Sequence, residues 1–330
     1  MADPRLRQKL ERKEFIVAPG VFDMMSAMLV ARVGFDAVYA SGYWLTASYL
    51  GIPDAGIATY TDMIARIAKV VEKSNAPVIA DADTGFGGLL NVHHTVKGYE
   101  AAGVSAIQIE DQEFPKKCGH TPYRRVIPME DMVGKVKVAV DARKSRDFLV
   151  IARTDARGGH GFEEAVRRGQ AYAEAGADIV FVEALHSEDE MRKACAAIKA
   201  PTMANMSDGG KTPIRSAKEL ADFGYSLAIF PAMNALSACF AMEKALRNLK
   251  ATGTSSSPDV PLFGFDDFCR MVGFEDVWAF EEKWKDVLDN SSECLLWWNK
   301  SVNPSPNKPT RSPRICSRPS NYWNRASTTP

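Results

Sequence analysis

The sequence predicts an α/β protein, a (β/α)₈ barrel of the TIM type with an additional C-terminal helical segment. Short segments rich in Val, Ile, Phe and Ala alternate with amphipathic stretches, as expected for parallel strands buried on both faces. Barrel closure is favoured over an open doubly wound sheet because the segments number eight. They are Phe15–Ala18, Ala37–Ser41, Pro77–Asp83, Ser105–Glu110, Phe148–Thr154, Asp178–Ala184, Pro201–Met206 and Ser226–Pro231.

Glycines mark several of the predicted joints between a helix and the next strand. A glycine directly after a helix supplies the left-handed conformation that ends it, and a strand can then follow at once. This arrangement supports the alternation of helices and strands. The four joints that share it are Val33-Gly34-Phe35, Ala102-Gly103-Val104, Ala175-Gly176-Ala177 and Phe223-Gly224-Tyr225.

The composition is that of a globular protein, with 46% hydrophobic and 25% charged residues in 330. Lys+Arg and Asp+Glu both number 41, so no basic field exists to bind a nucleic acid or an anionic membrane. No apolar run is long enough to span a bilayer, and Met1–Glu14 lacks the apolar region of a secretory signal. Six scattered cysteines do not form a disulfide framework. We therefore expect a cytoplasmic protein without nucleic-acid or membrane partners.

The chain is expected to form one catalytic domain over residues 1–289. A Gly/Ser/Pro linker at Gly253–Pro258 separates the eighth barrel helix from a further helical segment near Phe265–Leu288. That segment is rich in Phe and Trp, and a neighbouring subunit would bury it. Residues 290–330 are dominated by Ser, Pro, Asn and Arg, which predicts a disordered tail.

Polar side chains follow six consecutive predicted strands. Any one of them could simply cap the next helix. Functional residues of these barrels lie at the carboxyl ends of strands, so the repeated pattern predicts a shared site at the mouth. The strand ends are Ser41-Gly42, Asp81-Ala82-Asp83, Glu110-Asp111, Arg153-Thr154-Asp155, Glu183 and Asn205.

The acidic strand ends predict a metal site. Asp81 and Asp83 are two residues apart, so on a strand they would point to the same side, near Glu110. Carboxylates that face each other repel unless a cation or a proton separates them. Oxygen ligands favour Mg²⁺, with Mn²⁺ as the alternative. The competing interpretation is that one aspartate caps a helix while the other binds backbone amides.

A second cluster, Lys116-Lys117-Cys118-Gly119-His120, lies in the long segment after the fourth strand. Long loops at a barrel mouth are often lids. Neighbouring positive charge would favour the thiolate form of Cys118, which could act as an acid–base group or as a nucleophile. The alternative is a solvated basic loop with an incidental cysteine.

Together these motifs resemble the isocitrate lyase / phosphoenolpyruvate mutase superfamily. The match includes Leu50-Gly51-Ile52-Pro53-Asp54, Asp81–Asp83, Ile109–Gln112, Lys116–His120, Ala152–Ala156 and Asn205–Pro213. It covers about residues 14–289. The short form is similar to the 2-methylisocitrate lyase branch, which includes dimethylmalate lyases, oxaloacetate hydrolases and carboxyphosphonoenolpyruvate mutases.

The resemblance implies a homotetramer that exchanges its eighth helix between subunits, and Mg²⁺ held chiefly by Asp81. It implies that Cys118 is a general acid on a closing lid. Tyr43-Trp44 stands where many methylisocitrate lyases carry glycines, so the pocket is expected to differ in shape. The implied residues around the metal are Asp54, Asp83 and Glu110. The implied substrate-binding residues are Ser41, Gly42, Tyr43, Gly119, Arg153, Glu183 and Asn205. The further catalytic candidates are Lys116, Lys117, His120 and Glu110.

The expected function is Mg²⁺-dependent cleavage of a carbon–carbon bond in a small 2-hydroxy di- or tricarboxylic acid. The product would be a 2-oxo acid such as pyruvate, formed through an enolate-type intermediate. The alternatives are hydrolysis of oxaloacetate, carboxyphosphonoenolpyruvate-type phosphonate chemistry, and a non-catalytic binding role.

Overall fold

The computed structural model describes residues 2–119, 121 and 124–287. Within them, parallel strands form a closed barrel in which each strand pairs with the next and the last pairs with the first. The predicted barrel is therefore confirmed. Seven of the predicted apolar segments contain their strand completely, whereas the first strand begins inside Phe15–Ala18 and continues to Val21. The strands are β1 Ile16–Val21, β2 Val38–Ala40, β3 Val78–Asp81, β4 Ala106–Glu110, β5 Leu149–Thr154, β6 Ile179–Val182, β7 Thr202–Asn205 and β8 Leu227–Phe230.

Helices follow the strands around the barrel, and a short helix precedes β1. The glycines predicted to end helices at positions 34, 103, 176 and 224 all have positive φ angles, as the left-handed cap requires. The helices are α1 Arg5–Glu11, α2 Met24–Val33, α3 Gly42–Leu50, α4 Tyr60–Lys73, α5 Leu89–Ala101, α6 Met129–Ala142, α7 Arg157–His160, α8 Phe162–Glu174, α9 Glu188–Ala197, α10 Ala217–Phe223, α11 Met233–Thr252, α12 Phe265–Met271 and α13 Phe274–Lys283.

The chain divides into two compact units between Leu262 and Phe263. The first contains the barrel and ends after α11. The second begins with α12 and α13, where the sequence suggests one helical segment; Gly273, with φ of 95°, separates the two helices. The predicted domain end at residue 289 remains a prediction, and the predicted tail at 290–330 lies outside the described residues. Among those residues, no helix has both the length and the apolar character needed to cross a membrane.

The core has two layers because successive strand side chains point to opposite sides. On β2, Val38 and Ala40 belong to the layer between the barrel and its helices, whereas Tyr39 belongs to the cluster inside the barrel. Leu6 of α1 packs into that inner cluster and is fully buried. This alternation decides which side chains reach the mouth of the barrel.

Candidate active site

The mouth is largely polar because the inward-facing rows of side chains on β2 to β7 end in polar residues. Counting two residues onward from an inward residue gives another inward residue. On β3, the step from the buried Ile79 reaches Asp81, and on β6 the step from Phe181 reaches Glu183. The same step gives Ser41 after Tyr39, Glu110 after Gln108, Arg153 after Ile151 and Asn205 after Met203.

These side chains line one cavity of about 330 Å³. Most of the residues predicted from the sequence meet there. His120 lies outside the described residues, and Gly42 and Asp83 contact lining residues without lining the cavity themselves. The predicted residues on the wall are Ser41, Tyr43, Asp54, Asp81, Glu110, Lys116, Lys117, Cys118, Gly119, Arg153, Glu183 and Asn205.

Lys116 reaches into the acidic side of this cavity. Its buried ammonium forms an ion pair with Asp54 and another, at 2.7 Å, with Asp83. Burial lowers the pKa of Lys116, but the carboxylates of Asp83, Glu110 and Asp54 outweigh it and leave the pKa well above the usual value. Burial raises the pKa of Asp83 to about 7, and Lys116 opposes that rise. Lys116 is therefore a charged partner of the acidic cluster.

The relation between Asp81 and Asp83 differs from the prediction that both extend along one strand. Strand β3 ends at Asp81, and Asp83 has a left-handed backbone with φ of 49°. The chain turns there because the Asp81 carboxylate accepts a hydrogen bond from the Asp83 N–H at 3.1 Å. Asp81 also accepts from the Gly42 N–H at 3.3 Å. The competing interpretation, an aspartate that binds backbone amides, thus describes part of what Asp81 does.

Tyr39 and Gln108 complete the surroundings of Asp81, and neither was predicted from the sequence. The Tyr39 hydroxyl lies 3.4 Å from Asp81 Oδ2 and 3.2 Å from Gln108 Oε1. Gln108 Nε2 donates to Asp81 Oδ1 at 3.3 Å. Both side chains are inward positions two residues before a predicted site residue, so the strand alternation carried a signal for them.

The donor chemistry of this cluster fits a hard divalent cation. Asp54, Asp81, Asp83 and Glu110 present only oxygen atoms, which Mg²⁺ and Mn²⁺ prefer. Glu110 Oε1 is one of two buried side-chain oxygens without a hydrogen-bond partner in the described part of the chain. Burial raises the pKa of Glu110 well above its usual value, although Arg153 opposes the rise. In the described residues no three acidic, His or Cys side chains are already arranged as metal ligands.

Arg153 forms the cationic side of the cavity. Its guanidinium binds Asp155 through two hydrogen bonds of 2.8 and 3.0 Å. It also lies 3.3 Å from both Glu110 and Glu183. Burial disfavours its charge, but Asp155, Glu110 and Glu183 raise the pKa of Arg153 well above the usual value. A permanently charged, planar donor is thus fixed where a carboxylate of a substrate could bind.

Glu183 and Asn205 form a second fixed pair. Asn205 Nδ2 donates to Glu183 Oε2 at 2.9 Å, and the Ala184 N–H donates to Glu183 Oε1 at 2.7 Å. Asn205 Oδ1 is the second buried oxygen without a hydrogen-bond partner in the described part of the chain. A buried acceptor without a partner costs free energy unless a ligand satisfies it. Its place on the cavity wall therefore favours a polar ligand.

We call the segment after β4, residues 112–128, the Cys118 loop; its described residues Lys116–Gly119 and Thr121 line the cavity. Gln112 holds its first half by donating to the Lys117 carbonyl at 2.8 Å and accepting from the Lys117 N–H at 3.0 Å. Cys118 is half-buried on the cavity wall. A Cβ added to Gly119 would lie 2.3 Å from Arg153 Nη2 and 2.8 Å from Glu183 Cγ. The loop is thus seated directly on the arginine and the glutamate.

Apolar and aromatic side chains also form part of the cavity wall. The Tyr43 and Trp44 rings lie with centroids 4.7 Å apart and both line the cavity. Ile229, Pro231 and Leu236 add apolar lining that was not predicted from the sequence. A bound molecule would therefore meet hydrocarbon as well as charged groups.

Gly119→Ala is expected to lower kcat/KM by about tenfold to a hundredfold, because the loop could no longer seat on Arg153 and Glu183. Steady-state kinetics would measure the loss. Gly88→Ala serves as the control, since a Cβ at that exposed glycine has nothing within 4 Å. Equal activity of the two variants would contradict the importance of this close approach.

Comparison with known proteins agrees with this geometry. The family model described as phosphoenolpyruvate phosphomutase matches residues 6–250. The 2,3-dimethylmalate lyase of Eubacterium barkeri is 45% identical over 280 residues, covering 85% of this chain and 97% of the relative. The 2-methylisocitrate lyase of Aeropyrum pernix is 43% identical over 296 residues, covering 90% of this chain and 94% of the relative.

A solved structure of an oxaloacetate acetylhydrolase, in complex with the inhibitor 3,3-difluorooxalacetate, has the same fold. It superposes with a TM-score of 0.80 at 32% identity, covering 84% of this chain and 95% of that one. The chain therefore belongs to the phosphoenolpyruvate phosphomutase family, within the isocitrate lyase / phosphoenolpyruvate mutase superfamily that its motifs indicate, and it is an enzyme related to the lyases of that superfamily.

Proposed function

We propose that this enzyme is a Mg²⁺-dependent lyase that cleaves the C2–C3 bond of a small 2-hydroxy dicarboxylic acid, with 2,3-dimethylmalate as the favoured substrate. The observation that carries the proposal is a small cavity in which Arg153 and an acidic cluster face the Cys118 loop. The similarity to a 2,3-dimethylmalate lyase supports the substrate. The bulky side chains of Tyr43 and Trp44 form part of the cavity wall. Because they take up space there, the cavity favours a dicarboxylic acid over the larger tricarboxylic acid.

The charges of the site suggest how the substrate would be oriented. Arg153 would bind the carboxylate next to the reacting hydroxyl, and Asn205 Oδ1 would accept a hydrogen bond from the substrate. The oxygens of Asp81, with Asp54, Asp83 and Glu110 around it, would hold Mg²⁺. When bound, the ion would supply positive charge that stabilises the 2-oxygen of the substrate once its proton has been removed.

Bond cleavage requires two proton transfers. A carboxylate of the cavity takes the proton of the 2-hydroxyl, and its oxygen then forms the carbonyl of the 2-oxo acid. The C2–C3 bond breaks, and its electron pair remains on C3, next to the second carboxylate. The Cys118 thiol donates its proton to C3, which releases the second acid. The seated Cys118 loop keeps water from protonating C3 at random.

Turnover of a substrate panel tests this function. The panel contains 2,3-dimethylmalate, 2-methylisocitrate, isocitrate, oxaloacetate and phosphonopyruvate, each assayed with Mg²⁺ and with a chelator. We expect the highest kcat/KM for 2,3-dimethylmalate, with pyruvate as a product, and loss of activity in the chelator. Inactivity of the folded protein on every acid of the panel would contradict the proposed function.

Hydrolysis of oxaloacetate to oxalate and acetate is the second candidate. It is favoured by the close structural match to an oxaloacetate acetylhydrolase that binds 3,3-difluorooxalacetate. A four-carbon acid also suits a cavity of about 330 Å³. Oxalate formed from oxaloacetate, without pyruvate from the hydroxy acids, would replace the lyase proposal with this one.

We also propose a cytoplasmic homotetramer that exchanges α11 between subunits. The location rests on the scattered cysteines. The assembly is supported by the apolar side chains that α11 exposes within its unit, which include Phe240, Met242 and Leu246. Light scattering coupled to gel filtration is expected to give four times the mass of the chain. A monomer at micromolar concentration would contradict the proposed assembly.

A further inference from the structure

Arg124 is a buried arginine on the returning half of the Cys118 loop, and the mechanism above does not use it. Only 5% of its side chain is exposed. Its Nη1 lies 2.5 Å from Asp155 Oδ1, and its Nε donates to the carbonyl of Thr121 at 3.1 Å. The Asp155 carboxylate is fully buried, so Arg124 is held in one place and does not behave as a solvated side chain of the loop.

Asp155 is the link between Arg124 and the cavity. Its carboxylate is fully buried and also holds Arg153 through two hydrogen bonds. Burial raises the pKa of Asp155, but Arg153 and Arg124 outweigh it and lower the pKa below its usual value. One ionised carboxylate therefore joins an arginine of the loop to the arginine of the cavity wall.

Thr121 is the link between Arg124 and the thiol. The Thr121 N–H donates to the Cys118 carbonyl at 3.0 Å, and the Thr121 hydroxyl donates to the same oxygen at 2.7 Å. The carbonyl of Thr121 in turn accepts from Arg124. A continuous set of hydrogen bonds thus runs from the backbone of Cys118, through Thr121, Arg124 and Asp155, to Arg153.

We propose that Arg124 is a positioning residue that fastens the backbone of Cys118 to the Asp155–Arg153 pair, so that the thiol and the substrate-binding arginine keep one mutual geometry. The catalytic meaning of this role rests on the proposed function, in which Cys118 is the acid and Arg153 binds the substrate. The fastening itself does not depend on which reaction the enzyme performs. It can therefore be measured without any substrate.

The first experiment measures the rate at which iodoacetamide alkylates Cys118 in the intact protein, read from peptide mass spectrometry. Arg124→Ala is expected to raise that rate by about tenfold to a hundredfold, the effect of losing a charged hydrogen bond. Arg124→Lys is expected to fall between wild type and Arg124→Ala, since one ammonium can reach Asp155 but cannot also reproduce the planar fork. Arg125→Ala is the matched control, because that neighbour is 77% exposed and pairs with Glu113.

Cys195 of α9 provides an internal reference in the same samples. It is half-buried away from the loop and contacts Thr202 at 3.3 Å. If Arg124 only stabilised the fold, its loss would speed alkylation of Cys118 and Cys195 alike. An increase confined to Cys118 is the result that positioning predicts.

The second experiment disturbs Arg124 from the opposite side. A Cβ added to Gly158 of α7 would lie 2.7 Å from Arg124 Nη2, whereas a Cβ added to Gly159 has nothing within 4 Å. Gly158→Ala is therefore expected to speed Cys118 alkylation in the manner of Arg124→Lys. Gly159→Ala adds the same methyl group to the same short helix, but there it meets no other atom within 4 Å. This variant should therefore behave as wild type.

Kinetics on the substrate found by the panel then separate the two proposals. Arg124→Ala should lower kcat more than it raises KM, because Arg153 keeps Asp155 as a partner while the thiol loses its fixed place. Unchanged Cys118 alkylation in Arg124→Ala, or an equal increase at Cys195, would overturn the positioning role. Faster alkylation of Cys118 alone would support the role even if no acid of the panel were turned over, in which case the proposed function fails by itself.

Discussion

Arg153→Gln is expected to abolish measurable turnover and to lower the free energy of unfolding by about 3–5 kcal/mol, the cost of removing one partner from a buried ion pair. The substitution leaves the buried carboxylates of Glu110, Asp155 and Glu183 without the guanidinium that they share. Arg153→Lys should recover part of the stability and little of the activity, because an ammonium cannot reproduce the bidentate bond to Asp155.

Chemical denaturation and steady-state kinetics measure these two effects separately. Arg167→Gln on α8 is the matched control, since that arginine is 57% exposed and pairs with Glu164 at the surface. Its loss should change the free energy of unfolding by less than about 1 kcal/mol. If the Arg153→Gln variant were active, Arg153 would not be the residue that binds the substrate carboxylate.

Cys118→Ala is expected to lower kcat by about 10²- to 10⁴-fold, the usual contribution of a positioned general acid. Cys118→Ser should be similarly impaired, because a hydroxyl is a far weaker acid than a thiol. The free energy of unfolding should hardly change, since the side chain is only half-buried. Affinity for the unreactive dianion oxalate, measured by titration calorimetry, should persist in both variants.

Cys195→Ala on α9 controls for the loss of a half-buried cysteine as such, because Cys195 does not line the cavity. Full activity of Cys118→Ala on the true substrate would show that another group protonates C3. Loss of oxalate affinity together with activity would assign the thiol to binding instead of proton transfer.

The fold and the polar wall of the site were predictable because strand alternation is local. Ile79 and Asp81, or Phe181 and Glu183, lie two residues apart, so the sequence alone places them in the same inward row. The glycines after helices were equally informative, because a left-handed cap such as Gly34 favours glycine in any tertiary setting.

Contacts between distant segments were beyond the reach of sequence patterns. The ion pair of Lys116 with Asp54 joins residues 62 positions apart, and that of Arg124 with Asp155 joins residues 31 positions apart. The turn at Asp83 was missed because nothing in Asp-Ala-Asp marks the end of β3. The apolar wall from Pro231 and Leu236 was missed because apolar residues there are ordinary in a barrel.

Product analysis of one reaction tests the central claim most directly. The enzyme loaded with Mg²⁺ is incubated with 2,3-dimethylmalate, and nuclear magnetic resonance quantifies every product over time. Cleavage of the C2–C3 bond predicts pyruvate and propionate in equal amounts, with neither formed by Cys118→Ala at a comparable rate. Unchanged 2,3-dimethylmalate, under conditions in which the same enzyme converts oxaloacetate to oxalate and acetate, would contradict the lyase account.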